Sequence, residues 1–93
     1  MGSGILFAMI RYQPHAEEQM TERGITRAWV EATLASPDWT ETDPQRPERT
    51  RSYKAIPEMG GRVLRVVHWF ENGDVVVLTA HPDRNATKRR RRR

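Results

Sequence analysis

The chain has no cysteine. No disulfide can staple it, so a fold of this size rests on core packing or on a partner. The lack fits a reducing compartment, and a cytoplasmic protein is expected. Long apolar runs are also missing. The stretch Ile5-Leu6-Phe7-Ala8-Met9-Ile10 falls far short of the roughly 20 residues of a membrane helix. It has no basic flank before it, so neither a span nor a signal peptide is expected. His15, His68 and His81 are scattered, with no zinc-type spacing. Gly60-Gly61 precedes a strand and reads as a turn, and no Gly-x-Ser-x-Gly elbow occurs. No metal and no cofactor is therefore expected.

What is present is basic charge, unevenly spread. The 93 residues carry 16 basic and 12 acidic side chains, a net +4. Six of the basic residues lie in the last six positions, which leaves ten basic against twelve acidic in the body. The length suits one domain. Residues 1–9 read as a leader, with Met9 as a second start; residues 10–84 read as the domain; residues 85–93 read as a basic tail. Self-repulsion predicts disorder in that tail and sequence-blind adhesion to phosphate polymers.

Pro14 at a first turn, Glu17 and Glu18 near the positive end, and Gly24 as stop predict a helix over residues 14–23. Thr26 reads as the N-cap of a second helix, with Trp29, Val30, Thr33 and Leu34 in one stripe and Pro37 ending it. The rest reads as β. Residues 51–56 and 63–70 are strands, and Asn72-Gly73 predicts a type I′ hairpin. Residues 75–80 return as a central strand, apolar on both faces. Residues 38–42 add a weaker strand. The fold class is α+β.

Helical spacing groups His15, Gln19, Glu22 and Arg23 on or near one face of the first helix, with Ala16 and Met20 turned to the core. Such a face holds a proton carrier, a carboxylate and a cation, or is simply solvated. Arg49, Arg51 and Tyr53 share a strand face at period two, with Lys54 on the other. Guanidiniums beside an aromatic ring can grip phosphate and stack a base. In the next strand Arg65 shares a face with Val63, Val67 and Trp69, while His68 lies with Leu64, Val66 and Phe70. One of the two polar residues is exposed and the other is a functional candidate. His81 ends the last strand, where functional groups gather.

The stretch His15-Ala16-Glu17-Glu18-Gln19-Met20-Thr21-Glu22-Arg23-Gly24-Ile25-Thr26 resembles the HAxxRMxERGI opening of the DUF4258 family. Pro37, Arg51-Ser52-Tyr53 and the valine-rich strands agree, so the resemblance covers residues 10–84. DUF4258 proteins are similar to the RelE/BrnT-like toxins of toxin–antitoxin systems. The resemblance implies two N-terminal helices packed on a twisted antiparallel sheet of three to four strands. It also implies a metal-free endoribonuclease, with a base for the ribose 2′-OH, an arginine for the phosphorane charge and an acid for the leaving oxygen. His15, Arg23, Arg51, Tyr53 and His81 would be catalytic. Arg49, Lys54, Arg65 and Arg84 would bind RNA. An antitoxin would cover the active face, and RNA or the ribosome would be the target. Two departures stand out: Gln19 replaces the motif's arginine, and the body is near neutral. They favour the alternative of a non-catalytic protein-interaction module with an exposed apolar patch and a nucleic-acid-sticking tail.

Overall fold

A computed structural model describes residues 9–91. The leader reading of residues 1–8 lies outside them. In chain order the elements are β1 (Ile10–Tyr12), α1 (Pro14–Arg23), α2 (Arg27–Ala35), β2 (Trp39–Thr42), β3 (Thr50–Ile56), a 3-10 turn at Pro57–Met59, β4 (Arg62–Glu71), β5 (Asp74–Pro82) and α3 (Arg84–Arg91).

The local signals act as their chemistry requires. Pro14 opens α1, and Gly24 closes it at φ 66°, in the left-handed conformation. Ile25 N–H then bonds the Met20 carbonyl, and the Ile25 side chain is buried. The Thr26 hydroxyl accepts from Trp29 N–H and starts α2. Asn72 and Gly73 both take positive φ, so Glu71 faces Asp74 across a two-residue turn.

The five strands lie in the order β1-β5-β4-β3-β2. The β1–β5 pair is parallel and the other three pairs are antiparallel. α1 and α2 cover one face, the helix face. Ala16, Met20, Val30 and Leu34 pack there with Leu64, Val66, Val75, Val77 and Ala80. α3 crosses part of the opposite face, where Ala86 packs on Tyr53 and Val63.

Two expectations are corrected here. The sheet is not an antiparallel one of three to four strands beneath two N-terminal helices. It is mixed and five-stranded, it has three helices, and a strand precedes the first of them. β1 is only three residues long, too short to show period two. Met9, read as part of the leader, already gives its carbonyl to Val75 N–H. The second correction is at the tail. Residues 84–91 are helical, not disordered. Asp83 caps α3 by accepting from Ala86 N–H. Thr87 ties it to the sheet by accepting from Val63 N–H. Arg89 and Arg90 reach Glu41 and Asp38, which offsets the repulsion within the tail.

One irregularity decides the site. Val67 pairs with Thr79 but His68 pairs with Val77, so Leu78 is an extra residue in β5. Before this bulge Val75 and Val77 face the helices; after it Ala80 does. Strict alternation would send His81 to the helix face. The bulge turns it to the opposite one, level with Arg65.

Candidate functional site

That opposite face carries a row across four strands. Trp39 is opposite Tyr53, Tyr53 opposite Arg65, and Arg65 opposite His81. The Trp39 and Tyr53 rings stack, 4.7 Å between centroids. Arg65 NH2 lies 2.8 Å from His81 Nε2. A guanidinium can only donate, so Nε2 accepts and the imidazole proton sits on Nδ1. Nδ1 agrees: it lies 2.9 Å from the Pro82 carbonyl, which can only accept. Arg65 NH1 also meets the Asp83 carboxylate at 3.5 Å. Two residues along β3, Arg51 is 3.7 Å from Asp43, whose carboxyl is held below its usual range chiefly by Gln45 N–H. Arg49 lies over the Trp69 ring at 5.7 Å. Each of Arg49, Arg51 and Arg65 has a buried Nε with no hydrogen-bond partner among the described residues. Three guanidiniums on one sheet face, two of them beside Asp43 and Asp83, make a polar surface that could meet phosphate through their terminal nitrogens.

Beside the row sits Glu41. It accepts from Tyr53 O–H, Trp39 Nε1–H and Arg89. Burial pushes its carboxyl up, but the bonds from Arg89, Tyr53 and Trp39 outweigh this and leave its pKa below the ordinary value. The network pins α3 across β2 and β3.

The structure brings together four of the residues singled out in the sequence, Arg49, Arg51, Arg65 and His81, and separates the others. His15 and Arg23 are exposed on α1, on the far side of the sheet from Arg51. Tyr53 belongs to the row but is 1 % exposed, with its hydroxyl committed to Glu41, so it is a packing residue. Lys54 lies on the helix face and donates to the Ser36 carbonyl. Arg84 opens α3 beside Arg62 and Lys88, away from the row. Sequence reading missed Trp39, Glu41, Asp83 and Arg89; strand parity at β2 could have signalled the first two. Among the described residues no group of three or more potential ligands is placed to hold a metal. No helix among them is long and apolar enough to cross a membrane.

Gln19 has a different role from the one its motif position suggests. Its Oε1 accepts from Ala80 N–H at 3.1 Å, three residues past Val77, where the pairing of β5 with β1 ends, and so satisfies a backbone donor there. Gln19→Leu is expected to cost about 1–2 kcal/mol, because that donor is left unpaired. Urea denaturation measures it; a variant as stable as the parent would show that the bond does not support the fold.

No curated protein and no solved structure matches the chain. The family model for a domain of unknown function, DUF4258, matches residues 12–82, a span that takes in both helices of the α1–α2 hairpin, all the strands after it and the whole Arg51–Arg65–His81 face. On that match the chain belongs to the DUF4258 family.

Proposed function

We propose that this protein is a metal-independent endoribonuclease of the RelE/BrnT toxin type, acting through the face that carries Arg51, Arg65 and His81. The observation that carries the reading is the Arg65–His81 pair. It sets an uncharged imidazole nitrogen, free of a proton, beside a guanidinium. RNA cleavage needs that combination. Nε2 takes the proton of a ribose 2′-OH, the 2′-oxygen bonds to the adjacent phosphorus, and the bond to the 5′-oxygen breaks. Arg65 and Arg51 stabilise the charge gathering on the phosphate oxygens, and solvent supplies the proton for the leaving oxygen. Arg49 over Trp69 holds a flanking phosphate and base. An antitoxin segment covering this face is the expected partner, in a cytoplasmic setting.

The test is incubation of the full chain with a defined single-stranded RNA in the presence of EDTA, alone and with ribosomes. Cleavage giving 2′,3′-cyclic phosphate ends is expected, lost in His81→Ala and kept in His15→Ala. Absence of cleavage in both settings, or dependence on His15 instead of His81, refutes the proposal.

A further inference from the structure

At the end of the sheet where α3 crosses β4, a shallow depression of about 280 Å³ is lined by Arg62, Arg84, Thr87 and Lys88. Three of the four are cations, and all three are exposed. None of the three side chains has a hydrogen-bond or ion-pair partner among the described residues. The nearest carboxylate along the chain, Asp83, is engaged elsewhere: it meets Arg65 at 3.5 Å and accepts from Ala86 N–H. The Thr87 hydroxyl is engaged too, between Val63 N–H and the Asp83 carbonyl.

The basic residues of α3 therefore differ in what they meet. Arg89 and Arg90 are paired with Glu41 and Asp38 and hold the helix to the sheet. Arg84 and Lys88 stand one turn apart, at i and i+4, where like charges repel. Arg62 brings a third cation from the start of β4. The fold fixes all three in place. Ala86, within the turn from Arg84 to Lys88, is fully buried, and Thr87 is tied to Val63, the neighbour of Arg62. Repulsion among fixed, unpaired cations is relieved when an anion lies between them.

We propose that Arg62, Arg84 and Lys88 bind a backbone phosphate of RNA outside the cleavage centre. The proposal rests on the RNA reading above and says where that strand runs. Asp83 joins the two places, since it touches Arg65 and immediately precedes Arg84. Three residues of β4 separate Arg62 from Arg65, about 10 Å of strand, or about three nucleotides of a stacked chain. No aromatic ring lines the depression, so it holds phosphate without stacking or reading a base, and binding there is blind to sequence. The same lining offers no large apolar side chain for insertion into a membrane surface. Arg84 and Lys88 lie beyond the DUF4258 match, so the site belongs to α3 and not to the family domain.

The experiment uses the full chain and a short fluorescent single-stranded RNA with 2′-O-methyl riboses. That probe has no 2′-OH to react, so binding is read whether or not the protein cleaves. Anisotropy is followed from about 50 to about 200 mM salt. Changing the cluster (Arg62→Gln, Arg84→Gln and Lys88→Gln together) is expected to weaken binding at least about ten-fold. It should also flatten the slope of log affinity on log salt by about two, at about 0.7 per phosphate contact. Arg11→Gln, Arg23→Gln and Arg27→Gln together remove the same charge from other exposed positions and should leave the slope nearly unchanged. Equal slopes in the two triple variants overturn the proposal, because binding would then follow net charge alone. In the parent, nitrogen-15 amide shifts on adding the probe must include Arg62, Arg84 and Lys88; shifts confined to other residues overturn it without any variant. Tighter binding of the same three residues to phosphatidylserine vesicles than to the RNA would assign the cluster to a membrane surface instead. Cleavage of ordinary RNA is scored separately. A parent that binds through the cluster but cleaves nothing sinks the cleavage reading and leaves this one standing; a parent that cleaves while the cluster variant binds equally well does the reverse.

Discussion

Arg65→Ala is expected to lower RNA cleavage by about 100- to 1,000-fold, the range for removing one group that stabilises transition-state charge. Arg65 is the centre of the row. It touches His81 Nε2 at 2.8 Å and Asp83 at 3.5 Å, and its side chain is 25 % exposed. In the proposed reaction its loss takes the guanidinium from the scissile phosphate, and it frees the ring that Arg65 contacts. The fold should survive, because Asp83 keeps its cap on Ala86 N–H and Val63 and Val67 beside Arg65 stay packed. Arg65→Lys keeps the charge but not the planar fork, so an intermediate rate is expected. Single-turnover cleavage, with a thermal melt as the control on folding, measures both. A rate equal to the parent's in Arg65→Ala would remove this face from the chemistry.

Acid should destabilise the protein by about 3 kcal/mol as the pH falls from about 6.5 to about 4, through His68 alone. The folded chain holds this histidine near 4 against an ordinary 6.5, because burial disfavours the imidazolium. Below 6.5 the unfolded chain takes up a proton that the folded chain refuses, so unfolding gains. Below about 4 both states are protonated and the loss is complete. The stability is thus present above 6.5 and lost on the way down. Glu41 and Asp43, both held below their ordinary values, act in the same direction at lower pH. Urea denaturation at a series of pH values gives the slope. His68→Phe should flatten it between 6.5 and 4.5; an unchanged slope in that variant would mean that other groups set the acid limit.

The helical hairpin and the β4–β5 hairpin were legible because each is written in a few adjacent residues. Pro14, Gly24 and Thr26 fix the first, and Asn72-Gly73 fixes the second. The faces of β4 were legible too: strand parity puts Arg65 and His68 on opposite sides, though neither is the exposed residue that one of them was expected to be. His15 misled because helical spacing says which residues share a face but not which side of the sheet that helix covers. Gln19, read as a missing arginine, turned out to bond a backbone group some sixty residues away.

By itself the sequence determined the elements made by local chemistry, from α1 through β5, and the family to which they belong. Tertiary structure alone decided three things: the parallel pairing of β1 with β5, the docking of the arginine-rich α3, and the bulge at Leu78 that carries His81 across the sheet to Arg65. Each rests on contacts between residues far apart in the chain. A three-residue strand, a run of like charges and one extra residue in a strand have no period of their own to read. Each is held by contacts that only the fold supplies: Val75 for β1, Glu41 for α3, and the pairing of β4 on either side of Leu78 for the bulge.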